Sequence, residues 1–505
     1  MLLSRNIIKN VNSSVVQRVS ETIFNLPEKV LQFGTGVLLR GLPDYYINKA
    51  NNEGIFNGRV VVVKSTATGG TTGFDKQDCL FTHCIRGVED GNKVEENIIN
   101  GAISRVLSAN EQWHEILACA ENPEMEIVIS NTTEVGIALN SEDKVDAIPP
   151  VSFPGKLLAF LYKRFLFFKG DPIKGMVIVP TELIPQNGKK LESIVLELAS
   201  LNSLEPSFIN WLKTSNHFCD SLVDRIVPGK LPLEEKEKLE RETGYTDNLM
   251  IMSEPYSLWA IEAKDPVVAE KLLFTKADKR VVIEQDISKF RELKLRLLNG
   301  THTFSCGLAC LAGFVTVKQA MEDEQMAGFI RQLMQNEIAQ NIPYKINVKE
   351  STEFSNKVLD RFRNSYIEHN WLAITVQYSS KMKMRNLPVL HEHYKKTSAV
   401  PQLMALGFAA HILFMKCEIE NGKFYGNLSG TQYLVQDDNA ARYAEKWHAY
   451  NGKSLVNSIL SDYFLWEADL TVLPAFADAV ALKLHSLQNG HVRQAIKEVQ
   501  IEKEL

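Results

Sequence analysis

Three residues between Phe290 and His302 have the types and spacing for proton chemistry: Lys294, Asn299 and His302. The leucines around them, Leu293, Leu297 and Leu298, recur at helical spacing and can face a core. On an α-helix Asn299 and His302 are neighbours, whereas Lys294 lies about 140° from Asn299 and about 80° from His302, so the three share one broad arc. Interconverting a secondary alcohol and a ketone needs a group that takes or gives the hydroxyl proton while hydride moves. A lysine does this where burial brings its pKa toward neutrality. An amide supplies a fixed donor to the developing alkoxide, and an imidazole orients a neighbouring hydroxyl. An amphipathic helix with three polar residues on its wet face would show the same spacing.

Asn187 is the fourth candidate. It follows the strand Met176–Val179 through Pro180, Glu182 and Pro185, at a strand's C-terminal end, where open α/β sheets bind ligands. Asn187-Gly188 is also the usual signature of a plain turn. The apolar run Val30–Phe33 stops at Gly34-Thr35-Gly36 and passes into a helical pattern through Arg40, which reads as strand, tight turn and helix. One glycine permits the turn, the second lets backbone approach a pyrophosphate, and a helix N-terminus favours the anion. Leu39 stands where a third glycine is usual, so an ordinary glycine turn is the competing reading. The strand Arg59–Val63 ends in Lys64, Ser65 and Thr66 with no acid to hold a ribose, which leaves NADP open beside NAD and also fits a solvated strand end.

The elements that would position these residues change character along the chain. The β-branched runs at 30–33, 59–63, 126–130 and 176–179 alternate with helical stretches, as in a parallel sheet buried on both faces. Beyond about Ser288 the pattern is helical: Lys289–Phe314, Ala320–Gln340, Ser355–Asn364, Ala399–Lys416, Asp438–Asn451 and Leu473–Asn489. The predicted fold is α/β, a Rossmann-type doubly wound sheet over 1–285 followed by a mostly α-helical domain over 286–505, with a soft boundary near 275–295. A chain of 505 residues is long enough for two cores.

Composition removes other classes. Hydrophobic content of 45% and charged content of 23% are globular. A net charge of -5 gives no reason to expect nucleic acid or an anionic membrane as partner. No apolar run reaches the length of a membrane span, and the polar start of the chain carries no signal-peptide core, so a cytoplasmic protein is expected. Seven scattered cysteines point to buried free thiols in a reducing compartment. No metal is expected: Cys306 and Cys310 lack a second ligand pair, and His391-Glu392-His393, read as a polar cluster on a loop, lacks a third ligand. Lys381 and Arg385 near Pro388, and Arg361 with Arg363, are basic groups able to neutralise a substrate carboxylate, or else solvated basic loops. The charge run 234–241 reads as a solvated helix face.

Lys294, Asn299 and His302 in this spacing resemble the signature of the mannitol dehydrogenase family, the polyol-specific long-chain dehydrogenases, and the resemblance extends over nearly the whole chain. Phe33, Gly34, Gly36 and Arg40 resemble its cofactor turn, and Asn187-Gly188 its strand-end Asn-Gly. Val223-Asp224-Arg225-Ile226 and Glu254-Pro255-Tyr256 with Trp259 resemble two further motifs, which implies substrate contacts for Asp224, Arg225 and Glu254 beside Lys381 and Arg385. The segment Ser130-Asn131-Thr132-Thr133-Glu134 and the basic Lys64 are most like the uronate-reducing branch, and the resemblance implies cofactor contacts for Lys64, Asn131, Thr132 and Glu134. The implied reaction is reversible, NAD-dependent reduction of D-tagaturonate to D-altronate, without a catalytic metal. Lys294 is then the acid/base, Asn187 with Asn299 the oxyanion pair, and His302 a binder of substrate hydroxyls. Thr181-Glu182-Leu183 stand where mannitol-oxidising members tend to carry Cys-Asp-Asn. Fructuronate reduction, mannitol 2-oxidation and a non-catalytic dinucleotide sensor are the alternatives. The implied partner is a small hexuronate or aldonate, and the oligomeric state is open.

Overall fold

The computed structural model describes residues 1–66, 70–132, 135–428 and 430–501. It divides into two compact units, Met1–Arg86 with Lys93–Ile287, and Gly87–Asn92 with Ser288–Leu505.

The first unit is built on six strands: β1 (Glu28–Phe33), β2 (Arg59–Lys64), β3 (Ile103–Ser108), β4 (Ile127–Ser130), β5 (Val177–Pro180) and β6 (His217–Phe218). Their spatial order is β3-β2-β1-β4-β5-β6 and every neighbouring pair is parallel. That order reverses direction between β1 and β4, the arrangement of a dinucleotide-binding doubly wound sheet. Alternation along the strands feeds two cores. Val60 and Val62 pack with Leu39, Tyr46 and Trp259 on one face, and Val61 and Val63 with Trp113, Phe153 and Leu157 on the other. Strands buried on both faces explain the unbroken valine run. β3 carries Ser104 and Arg105 and β6 is two residues long, so neither stands out as an apolar run. Two smaller sheets complete the unit, one from Phe81–Glu89, Asn92–Asn100 and Ile251–Ser253, the other from Ser221–Asp224, Leu258–Glu262 and Val281–Glu284.

Helices dominate the second unit. Every residue of the helix Thr301–Leu311 through Cys310 is buried, as are all but Gln402 and Leu413 of Gln402–Phe414. Helices apolar on all sides belong inside. The buried Glu337 carboxylate accepts the amides of Leu403 at 3.1 Å and Met404 at 2.8 Å, an anion satisfying a helix N-terminus. The π-helical segments Lys294–Gly300, Leu333–Ile338 and Met382–Asn386 interrupt the α-helical runs. The unit also holds an antiparallel meander over Glu418–Glu420, Lys423–Leu428 and Thr431–Leu434, between two of the expected helices in a domain expected to be mostly helical. Its strands are largely exposed, and so lack the apolar runs that mark the sheet of the first unit. Among the described residues no helix is long and apolar enough to cross a membrane.

His411 sits at the centre of the helical unit, with its Nε2 2.8 Å from the Tyr443 hydroxyl and its ring 4.3 Å from that of Tyr378. Burial pushes its pKa down to about 3. The unfolded chain, whose histidines titrate near 6.5, therefore binds a proton that the folded chain refuses, and stability falls as pH drops below that value. Thermal unfolding should show this loss between pH 7 and pH 5, and His411→Phe should shrink the loss by about 2 kcal/mol whatever its effect at neutral pH. An unchanged pH slope in that variant would contradict the assignment.

Candidate active site

The strand ends of the first unit place the glycine turn at the reversal point of the sheet. Gly34 donates to the Val63 carbonyl at 3.0 Å, and Asn131 to the Phe33 carbonyl at 3.1 Å, so the turns after β1 and β4 lie side by side. Gly34 has φ of +124°, and a Cβ there would come within 2.9 Å of Leu39 Cδ1 and 3.0 Å of the Asn131 carbonyl. The leucine at the third-glycine position is thus the residue packed on the first glycine. Gly36 is exposed at the start of the helix Val37–Gly41, and a Cβ there would meet nothing within 4 Å. A glycine-bounded turn at the carboxyl end of β1, beside the reversal point, fits a dinucleotide pyrophosphate.

Other expected cofactor residues also bond or pack within the framework. Phe33 is fully buried against Phe153 at 5.0 Å. Arg40 donates to the Leu249 carbonyl at 2.6 Å and lies over the Phe74 and Phe81 rings; burial lowers its pKa, opposed by Asp44 and Asp247. Lys64 turns its ammonium onto the Thr66 carbonyl. Asn131 donates to the Thr181 carbonyl at 3.1 Å and its hydroxyl at 3.0 Å. Thr132 donates through its amide and hydroxyl to Glu182 at 2.9 and 3.0 Å, and Ser130 adds a third bond at 3.1 Å. Burial raises the Glu182 pKa against these bonds. Glu182 was read only as a departure from a family pattern; it organises the end of β4. Glu134 lies outside the described residues.

Asn187 departs from its expected role. Its amide nitrogen lies 3.0 Å from each of three carbonyls, of Pro180, Glu182 and Ser221, and its oxygen accepts the amides of Gly188 and Ser221. With its donors taken by main chain, this amide joins β5 to the strand Ser221–Asp224 and has no hydrogen left over for a substrate oxygen. Asn187-Gly188 is not a plain turn but the start of the helix Asn187–Leu201. A Cβ at 188 would fall 2.4 Å from the Cys219 main chain, so only glycine allows this approach.

Arg225 and Glu254, expected at the substrate, hold their two motifs together. Arg225 donates to the Glu254 carbonyl at 3.0 Å and the Gly41 carbonyl at 2.7 Å, while the Glu254 carboxylate accepts the Ile226 amide at 2.7 Å. Asp224 is buried in the sheet beside Leu258. Arg225 Nε and Nη1 are committed to main chain, while its Nη2 is buried without a protein partner.

In the second unit Lys294 opens a π-helical segment that ends at Gly300, and His302 lies in the α-helix that continues it. A ladder bonded i to i+5 sets Lys294 and Asn299 on successive turns, closer round the axis than the α-helical wheel allows. Lys294 and Asn299 are half-buried, and His302 is buried. The His302 ring lies 4.1 Å from Phe362, 4.8 Å from His369 and 5.7 Å from Trp371. Burial, then His369, Arg361 and Arg385, hold its pKa well below the usual imidazole range, so it is neutral at physiological pH. His369 is lowered by burial, then by Arg361 and Lys381.

The two basic segments left as alternatives therefore meet. Arg361, from the helix Val348–Phe362, and Arg385 with Lys381, from Tyr378–Asn386, bear on the same two imidazoles. Arg385 donates to the Thr303 hydroxyl at 3.1 Å, which donates to the Asn299 carbonyl at 2.7 Å. Lys381 donates to the Ile374 carbonyl at 2.9 Å. Neither segment is a loop, and Arg363, exposed and paired with Asp360 at 3.5 Å, takes no part. His302 Nδ1, Arg385 Nε and Asn386 Oδ1 are buried without a protein partner. Neutral imidazoles, fixed cations and unsatisfied polar atoms suit a hydroxylated, anionic ligand. Thr303, His369 and Arg296 were not among the residues expected at the site; Thr303 and Arg296 had proximity in sequence to His302 and Lys294 as their signal, and His369 had none. His391-Glu392-His393 lies in the helix Leu387–Lys396 rather than on a loop, and among the described residues no group of three or more His, Cys, Asp or Glu is placed to hold a metal.

Comparison with known proteins covers both units. Residues 28–273 match the mannitol dehydrogenase Rossmann domain and 286–488 the mannitol dehydrogenase C-terminal domain. The altronate oxidoreductase of Bacillus subtilis (strain 168) is 35% identical over 491 residues, 96% of this chain and 98% of that protein. That of Klebsiella pneumoniae (strain 342) is 36% identical, over 93% of this chain and 96% of that protein. Pseudomonas fluorescens mannitol 2-dehydrogenase, solved with NAD and D-mannitol, superposes with a TM-score of 0.67 at 22% identity, over 99% of each chain. A substrate-free D-sorbitol dehydrogenase reaches 0.75 at 18% identity, over 98% of this chain and 100% of that one. At those identities the two structures speak for the fold, and the family rests on the domain matches and full-length relatives. The chain belongs to the mannitol dehydrogenase family and is an oxidoreductase acting on CH–OH groups of a polyol or sugar acid.

Proposed function

We propose that the protein catalyses the reversible NAD-dependent reduction of D-tagaturonate to D-altronate, with Lys294 as general acid/base. The observation that carries this reading is the set of cations about two neutral imidazoles: Arg361 and Arg385 bear on His302, on the helix that continues from Lys294, and Arg361 and Lys381 bear on its neighbour His369. A neutral polyol gives no reason to gather one buried and two half-buried cations; a sugar carboxylate does. Full-length similarity to altronate oxidoreductases supports the same class.

A bound dinucleotide supplies hydride to the ketone carbon. The chain's own groups do the rest. As the carbonyl π pair moves onto oxygen, the Lys294 ammonium gives that oxygen its proton and recovers one from solvent; in the oxidation it takes the hydroxyl proton. The Asn299 amide donates to the same oxygen while charge develops. Neutral His302 meets a substrate hydroxyl, and Arg385 with Lys381 meets the carboxylate. Asn187 has no part in this scheme beyond holding the strand ends. The first unit takes the dinucleotide at Gly34 to Gly36, with Asn131 and Thr132 shaping the adjacent turn, and Lys64, folded on its own strand end, favours NAD over a 2′-phosphate.

Lys294→Ala should lower kcat by at least ~100-fold while NADH binding, followed by fluorescence, is retained; near-full activity would end the mechanism. On a panel of ketoses and ketouronates followed by NADH absorbance, tagaturonate should have the highest kcat/KM, and better turnover of fructuronate or fructose would displace it. Gly34→Ala should cost roughly 1–3 kcal/mol of stability, from its positive φ. Gly36→Ala should leave the melting temperature nearly unchanged but weaken NADH binding; equal NADH affinity in that variant would remove the turn from the cofactor site.

A further inference from the structure

Arg296 lies two residues after Lys294, and its guanidinium is buried at 7% side-chain exposure. Nε and Nη2 donate to the Glu292 carboxylate at 2.9 and 3.4 Å. Nη1 turns the other way and donates to the carbonyls of Met384 and Arg385, both at 2.7 Å. Arg385 is thus held at two points. Arg296 grips its main-chain carbonyl, and the Thr303 hydroxyl receives its guanidinium at 3.1 Å. Both handles come from one continuous helical run, one before Asn299 and one after it.

We propose that Arg296 is a positioning residue for sugar-acid recognition: it fixes the register of the Met382–Asn386 segment against the helix of Lys294, Asn299 and His302, and so sets where the Arg385 cation meets a carboxylate. The planar guanidinium suits the task, because it donates to a carboxylate on one edge and to two carbonyls on another. A lysine ammonium on a straight stem cannot span both. Arg296 acts through Arg385, and its role rests on the reading of Arg385 as the carboxylate partner.

Steady-state kinetics with tagaturonate on Arg296→Met, Arg296→Lys, Arg385→Gln and the double variant Arg296→Met/Arg385→Gln test this. For Arg296→Met the KM should rise about 10-fold with kcat reduced less than about threefold, the pattern of lost ground-state binding. Arg296→Lys should fall between that variant and the parent. The double variant should have a KM close to that of Arg385→Gln alone, because two residues acting through one contact are not additive. A merely structural arginine would lower the melting temperature and the active fraction with KM unchanged, or would add its full effect to Arg385→Gln; either result overturns the proposal. If Arg385→Gln itself leaves KM unchanged, the carboxylate reading is what has failed, and the positioning role falls with it. Should Arg296→Met not fold, because the Glu292 carboxylate loses its partner, Arg296→Lys and Glu292→Gln/Arg296→Met carry the same KM comparison.

Discussion

The helix Thr301–Leu311 is buried on every side, while the turn just upstream of it carries a lysine, an arginine and an asparagine. Polar groups on an enclosed helix must be satisfied by protein or ligand, since each one left bare costs roughly 1–3 kcal/mol. Some are met internally: the Thr303 hydroxyl donates to the Asn299 carbonyl, and Arg296 donates to the Glu292 carboxylate and to main-chain carbonyls of the facing segment. Thr301 Oγ1, His302 Nδ1 and Ser305 Oγ on the helix, and Arg385 Nε on the facing segment, are not. The site is the place where an enclosed helix keeps polar atoms it does not itself use.

The cations around it follow the same physics. Buried arginines and lysines are tolerated when their donors find acceptors, and Arg385, Lys381 and Arg296 each find a carbonyl or hydroxyl. Burial first, and then the positive field of Arg361, Arg385 and Lys381, keeps the neighbouring imidazoles neutral.

In the first unit the equivalent constraint is close main-chain approach. Gly34 and Gly188 each sit where a side chain would collide with backbone, and Asn187 and Glu182 bind the amides and carbonyls that such tight turns expose. Arg225 and Glu254 do the same between two motifs. Polar residues at strand ends are read naturally as ligand contacts, yet here they also bond to the framework, because a doubly wound sheet leaves many main-chain groups at its carboxyl edge to be satisfied.

The valine-rich strands, the glycine turn, the helical second half and the Lys294–His302 segment were legible because each is written in local periodicity or in residue type. β3, β6, the small sheets and the 418–434 meander were not: their strands are short, polar or exposed, and pairing alone defines them. By itself the sequence determined which residues have the chemistry, since an ammonium, an amide and an imidazole are properties of side chains. Only the tertiary structure decided which of them the framework consumes. Whether Asn187 or Arg225 spends its donors on main chain, and whether Arg361 and Arg385 bear on one ring, depends on segments far apart in the chain, and local patterns carry no record of such distances.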